Sequence, residues 1–247
     1  MIENITDLHM HIIPEIDDGS DNIEMSIDML RKAYSQGVRT VFCVSHDWES
    51  VNMRNIYMTC FQKLRERIEA ENIDIDLYSG TEIMCNDNTI DSILRRLNDG
   101  TILPLNGTRY VLVEFRPKEE YAEAQRSIGK LLKSGWKPII AHAERCDRLS
   151  VHELTELYSL GCLIQINAYS LENEKKNHIK EKARKLLKGQ VVTFIGSDAH
   201  TTYHRPPEYS AGIRYVLEHC KPEYAEAVLS QNADKLLIRQ YSINLEE

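Results

Sequence analysis

No stretch of this sequence reaches the roughly 20 consecutive apolar residues that a membrane-spanning helix needs, so no membrane insertion is expected. The amino terminus, Met1-Ile2-Glu3-Asn4, has neither the basic nor the apolar region of a secretory signal. Basic residues are outnumbered, 30 Lys and Arg against 38 Asp and Glu, for a formal charge of −8. That balance argues against a nucleic-acid partner, which calls for a basic footprint. The cysteines, Cys43, Cys60, Cys85, Cys146, Cys162 and Cys220, are scattered and no pair has CxxC spacing. In an enzyme-sized chain without a secretory signal this is the pattern of reduced thiols, and a cytoplasmic location is expected. Neither GxGxxG nor GxxxxGKS/T occurs, so a dinucleotide fold and a P-loop both lack motif support. No repeat, low-complexity tract or Pro/Gly-rich linker divides the chain. With 247 residues, 42% of them apolar, the expectation is one domain, 1–247, around one sizeable core.

What the sequence has is alternation. Short β-branched or apolar runs at 5–9, 40–46, 76–82, 110–115, 138–142, 162–167 and 191–198 read as strands. Their near-continuous apolar character suits parallel strands buried on both faces. Amphipathic stretches lie between them. Residues 22–36 place Ile23, Ile27, Leu30 and Tyr34 on one helical face, and 121–134 gather Ala124, Ile128, Leu131 and Leu132. Gly37, Gly135, Gly161 and Gly189 each stand where a helix should stop before the next strand. Seven strands in βα alternation fit a barrel or an open doubly wound α/β sheet.

Residues able to bind a metal ion cluster at the carboxyl ends of six of these seven runs. His9 and His11 close the first, with Asp17 and Asp18 in the following loop. His46 ends the second, Glu82 the third, Glu114 the fourth, His142 the fifth, and Asp198 with His200 the last. In a parallel barrel those ends share one face, where catalytic groups gather. Residues i and i+2 of a strand point the same way, so His9 and His11 can aim both rings at one ion, and Asp198 and His200 repeat the geometry. A His/Asp/Glu set without thiolate suits Mn, Fe or Zn over softer copper. Each motif alone has a plainer reading: packed histidines, an exposed carboxylate, a turn at Asp17-Asp18-Gly19. Coincidence across six strands does not, because so many polar groups buried without partners would be expensive.

Asp7-Leu8-His9-Met10-His11, Asp17-Asp18-Gly19, Ser45-His46, Gly80-Thr81-Glu82, Val113-Glu114-Phe115, Ala141-His142-Ala143-Glu144-Arg145 and Gly196-Ser197-Asp198-Ala199-His200 together resemble the polymerase-and-histidinol-phosphatase (PHP) superfamily. More closely, the chain resembles the bacterial protein-tyrosine phosphatases of capsule and exopolysaccharide clusters, the CpsB/YwqE type. Asn106-Gly107-Thr108-Arg109-Tyr110 and His204-Arg205-Pro206-Pro207 add to that closer match. The resemblance implies a distorted (β/α)7 TIM-like barrel holding up to three ions, usually manganese, with Fe, Zn, Co or Mg able to stand in. It implies His9, His11, Glu82 and Asp198 on one ion, Glu82, Glu114 and His142 on a second, and His46, His200 and a first-loop aspartate on a third. Asp18 is favoured over Asp17 for that place. Arg145 and Arg205 match phosphate-binding arginines. The sequence departs from the family at Asp47-Trp48-Glu49, where further basic or histidine residues are usual, and at Asn232-Ala233-Asp234, a difference expected to be structural.

The chemistry this implies is hydrolysis of phosphotyrosine by metal-activated hydroxide, acting on the tail of a bacterial tyrosine kinase. A cysteine-nucleophile phosphatase is excluded, since none of the residues six beyond each cysteine is the arginine its loop requires: Glu49, Glu66, Asp91, His152, Ala168 and Glu226. Two alternatives stay open. One keeps the metals but takes histidinol phosphate, another small phosphomonoester or a nucleotide 3′ end. The other is a phosphotyrosine-binding module that does not cleave. His204 reads as a surface residue more readily than as a catalytic helper.

Overall fold

The computed structural model describes residues 4–48 and 50–237; Met1-Ile2-Glu3, Glu49 and 238–247 of the expected domain lie outside the described residues. Within them, strand and helix alternate as expected. β1 (Ile5–Met10) leads to α1 (Ile23–Ser35), β2 (Val38–Cys43) to α2 (Val51–Ala70), and β3 (Asp76–Ser79) to β4 (Glu82–Met84) and α3 (Ile90–Asn98). β5 (Tyr110–Glu114) precedes α4 (Tyr121–Lys133), β6 (Lys137–Ile140) precedes α5 (Val151–Ser159), and β7 (Leu163–Asn167) precedes α6 (Asn177–Lys188). β8 (Phe194–Gly196) is followed by α7 (Ser210–His219), α8 (Pro222–Leu229) and α9 (Asp234–Leu237). Strand pairings among the described residues are parallel, in the orders β1-β2-β3 and β4-β5-β6-β7-β8.

The two sheets form a barrel because their carboxyl ends join. Glu82 N–H donates to Ser45 O at 2.8 Å, linking the end of the β2 segment to β4. On the other side Asp198 N–H donates to His9 O at 2.7 Å and His11 N–H to Ala199 O at 2.8 Å, sealing the first strand to the last. Leu8, Phe42, Val44, Leu112, Ile139, Ala141 and Phe194 fill the interior as one apolar cluster; a larger one lies between strands and helices.

Three expectations need correction. The run over 76–82 is two strands, not one. A Cβ on Gly80 would meet Leu105 Cδ2 at 2.5 Å, and the Gly80 N–H is taken by the Tyr57 hydroxyl at 3.2 Å instead of a neighbouring strand. The chain steps off one sheet there and re-enters the other, so Glu82 opens β4 where it was expected to close the third strand. Second, the turn after α6 is displaced by one residue. Gly37, Gly135 and Gly161 take the left-handed conformation (φ 95°, 80° and 108°), but Gly189 stays helical at φ −72° and Gln190 turns the chain at φ 56°. Third, Tyr34 does not join the buried face of α1. Ile27 and Leu30 are buried, whereas Tyr34 is exposed with the Arg39 guanidinium 3.8 Å from its ring centre. On α4, Ala124, Ile128 and Leu131 are buried, and Leu132 packs partly buried. Asn232, in the departure at 232–234, donates to Thr193 O at 2.9 Å.

Candidate metal centre

Strand direction brings the expected ligands to one mouth of the barrel. On β2 and β5 the reason is alternation: Phe42 and Val44 face the interior and His46 follows on the same side, as Glu114 follows Tyr110 and Leu112. His142 and Asp198 are turned by the backbone. Both hold the left-handed conformation, φ 30° and 55°, which non-glycine residues rarely adopt. Surrounding hydrogen bonds over-determine the strain: His142 N–H donates to Gln165 Oε1 at 2.7 Å and Asp198 N–H to His9 O at 2.7 Å.

Glu82 is the hub. Its Oε2 lies 3.1 Å from His11 Nε2, 3.3 Å from His9 Nε2 and 3.4 Å from His46 Nδ1, while its Oε1 lies 2.9 Å from His142 Nε2. Glu114 Oε2 is 3.4 Å from His142 Nε2. Asp198 Oδ1 is 3.6 Å from His9 Nε2 and 3.8 Å from His11 Nε2. Asp18 Oδ1 is 3.3 Å from His46 Nε2 and 3.4 Å from His200 Nε2. Among the described residues, four sets have ligand atoms within 4.8 Å of one another: His11, Asp18, His46 and His200; His9, His142 and Asp198; His9, His11 and Glu82; His46, Glu82 and Glu114. The sets overlap more than the three expected ones, because one Glu82 oxygen reaches three rings. Of the two first-loop aspartates, Asp18 offers its oxygen to these sets. Asp17 sits behind, its Oδ2 accepting from His11 Nδ1 at 2.8 Å and from His46 N–H at 2.9 Å.

The tautomers show what this cluster suits. His11 Nδ1–H donates to Asp17, and His200 Nδ1–H donates to Asp198 O at 3.0 Å. His9 Nδ1 is 3.3 Å from Gln165 Oε1, an oxygen that already accepts from the His142 backbone and so takes a proton from His9 as well. In the neutral form all three rings aim a bare Nε2 inward. The His9 and His11 Nε2 atoms face each other at 2.9 Å, and His200 Nε2 is buried with no hydrogen-bond partner. Convergent lone pairs flanked by carboxylates fit a cation, and outer hydrogen bonds to the far ring nitrogen are how metal-binding histidines are held. The donor set, imidazole and carboxylate without thiolate, fits Mn, Fe or Zn.

The electrostatics agree. Burial would lower the His11 imidazole, but hydrogen bonds to Asp17 and Glu82 outweigh it and raise it to about 10. Burial would raise Asp17, but the His11 contact holds it down at about 2. Burial would raise Glu82 and Asp198, but the imidazoles around them hold both carboxyls below their usual range, His9, His11 and His142 beside Glu82 and His9 and His142 beside Asp198. Glu114 is pushed up by burial and then by the Glu82 charge. His200 is lowered to about 3, by burial first and then by the His11 charge. Where protons compete for the same inward-facing atoms, only some positions hold one.

Arg145 and Arg205 stand at the rim. Arg145 Nη1 is 2.5 Å and Arg205 Nη1 3.2 Å from Asp198 Oδ2, and Arg205 Nη2 is 3.6 Å from Asp18. Arg145 thus pairs across the barrel with Asp198 and not with its sequence neighbours Glu144 or Asp147, and Arg205 is tied to the same carboxylate. His204 is exposed. Sequence reading missed the layer behind the ligands. Asp7 is wholly buried and accepts from His9 N–H, Ser197 N–H, Ser197 Oγ–H and the Tyr209 hydroxyl. Gln165 and Asn167, two polar residues in the apolar run of β7, were signalled by that break in composition.

The chain is 30% identical over 248 residues to the tyrosine-protein phosphatase CpsB of Streptococcus pneumoniae, across 95% of this chain and 98% of that protein. It is 29% identical to the tyrosine-protein phosphatase YwqE of Bacillus subtilis (strain 168), across 95% and 92%. Its fold is similar, with a TM-score of 0.82 at 27% identity over 96% of each chain, to a crystal structure from work on B. subtilis YwqE and S. pneumoniae CpsB, described as unique metal-dependent tyrosine phosphatases. The family model for capsular polysaccharide synthesis, CpsB/CapC, matches residues 5–238, and the chain therefore belongs to the CpsB/CapC family.

Proposed function

We propose that this protein is a metal-dependent protein-tyrosine phosphatase of one domain, loaded with manganese in a cytoplasmic setting. Its proposed substrate is the phosphotyrosine-bearing tail of a bacterial tyrosine kinase that controls capsule or exopolysaccharide synthesis. The observation that carries the reading is the convergence of inward-facing imidazole nitrogens and carboxylates beneath two arginines. His9, His11, Asp18, His46, Glu82, Glu114, His142, Asp198 and His200 would hold the ions. Divalent ions bound there supply Lewis acidity, lowering the pKa of water and offsetting charge on the phosphoryl group. Arg145 and Arg205 present planar forks suited to phosphoryl oxygens, and their hold on Asp198 keeps both aimed at the mouth before substrate arrives. A phenol has a pKa of about 10, so its anion leaves well enough that no dedicated acid is required. The relatives' names support the substrate class, and the net charge of −8 speaks against long nucleic acid.

The test is a panel of phosphotyrosine peptide, histidinol phosphate and single-stranded DNA, each with manganese and each with chelator, alongside metal analysis of the purified protein. Turnover of the peptide, lost with chelator, is expected. An untouched peptide while histidinol phosphate is consumed would transfer the assignment to small phosphomonoesters. Tight peptide binding without turnover would make the protein a binding module.

A further inference from the structure

The carboxyl end of β7 carries no candidate ligand and holds two buried amides instead. Gln165 Oε1 accepts from His142 N–H at 2.7 Å and lies 3.3 Å from His9 Nδ1. Gln165 Nε2 donates to Asn167 Oδ1 at 2.8 Å, and Asn167 Nδ2 donates to Asp198 Oδ2 at 3.3 Å. The direction of this chain is forced at both ends. A backbone N–H can only donate and an ionised carboxylate can only accept, so each amide has one permissible orientation. Gln165 Oε1 is therefore the acceptor for His9, which must carry its proton on Nδ1. Two amides buried for packing alone need only satisfy each other. Here three contacts of the pair finish on candidate ligand residues, the ring of His9, the strained backbone of His142 and the carboxylate of Asp198, and Asn167 also meets the Tyr169 hydroxyl.

We propose that Gln165 and Asn167 are positioning residues for the metal centre, fixing His9 as the Nδ1–H tautomer with Nε2 facing the ions and holding the Asp198 carboxylate in place. The inference rests on the reading of the cluster as a metal centre. Asn167 is itself anchored, its N–H donating to Glu144 Oε1 at 3.0 Å, so the chain has a rigid base. Outer hydrogen bonds of this kind set the orientation and basicity of a metal-binding histidine, and their loss weakens metal affinity by roughly 10–100-fold.

The first measurement needs no variant. Long-range 1H–15N correlation spectra of the metal-free protein report the tautomer of each histidine, with His9 assigned by comparison with His9→Gln. His9 protonated on Nδ1 is expected; His9 protonated on Nε2 alone overturns the proposal. The second uses Gln165→Leu and Gln165→Glu, with folding checked by circular dichroism and metal affinity measured by chelator competition. The carboxylate that Gln165→Glu introduces can still accept from His142 and His9 but can no longer donate to Asn167, so this variant should keep the Nδ1–H tautomer of His9, while Gln165→Leu should lose it and bind roughly 10–100-fold more weakly. A folded Gln165→Leu protein with parental affinity and an unchanged His9 tautomer removes the positioning role. The reading of the centre itself fails separately, if the parent protein binds no divalent ion at all.

Discussion

At the scale of single residues, the first-loop aspartates divide two jobs that look alike in sequence. The side chain of Asp17 is buried and braces His11; Asp18 has 66% of its side chain exposed and reaches the outer face of the cluster. Substituting Asp17→Asn removes the charge that fixes His11 Nδ1–H without emptying the position. Metal affinity should fall by roughly 10–100-fold. Asp18→Ala should instead cost one ion per chain, counted by elemental analysis, with the remaining ions held as before. Loss of an ion in Asp17→Asn and none in Asp18→Ala would reverse the roles. The rim arginines act on another quantity. Arg145→Lys and Arg205→Lys keep the charge but lose the two-pronged contact. Each should raise KM for phosphotyrosine peptide about tenfold, an estimate equal to one lost charge-assisted hydrogen bond of about 1.4 kcal/mol. Metal content should not change, and a variant that sheds metal would place that arginine's role at Asp198 instead.

At the scale of elements, two glycines in helices make opposite predictions. Gly212 lets α7 approach the turn that follows β7; a Cβ there would overlap Ala168 O and lie 2.7 Å from Ala168 C. Gly212→Ala must push backbone against backbone and should cost about 1–3 kcal/mol, read by urea unfolding. Gly129, inside α4, would meet nothing within 4 Å. Gly129→Ala should stabilise by about 0.5–1 kcal/mol through helix propensity alone. Equal effects of the two would show that the helix interior, not the contact with Ala168, sets the response. These elements also show what was legible beforehand. Apolar runs and their spacing give the strands, since a parallel strand buried on both faces leaves a local signature. The break at Gly80 leaves none, because it depends on Leu105 and Tyr57 from elsewhere in the chain. Glu82 comes to the mouth through the step at Gly80, but the gathering of His9, Glu114 and Asp198 there follows from strand ends sharing a face. Their tautomers do not, because Gln165 lies 156 residues from His9 in sequence. The shift from Gly189 to Gln190 was hidden for a smaller reason: glycine permits a left-handed turn but does not compel one.

For the whole molecule, closure and chemistry share the same atoms. The seam between the first and last strands consists of Asp198 N–H to His9 O and His11 N–H to Ala199 O, so three proposed ligands close the barrel with their backbones and face the ions with their side chains. Ions bound by those side chains would then tie the amino-terminal strand to the one that ends near residue 196, across most of the chain. Stripping them leaves Glu82, Glu114, Asp198, Asp17 and Asp18 close together with only protons and arginines to offset them. Thermal stability should therefore fall on chelation and return with manganese. One site at a hundred times its dissociation constant adds about 2.7 kcal/mol, or roughly 5–11 °C at the 2–4 °C per kcal/mol usual for a chain of this size. Hydrogen exchange locates the effect. The amides of His11 and Asp198, at the seam, should lose protection on chelation well before that of Leu112, in the middle of β5. Uniform loss at all three would mean that the ions stabilise the barrel as a block. An unchanged melting temperature would separate the metal centre from the closure of the fold.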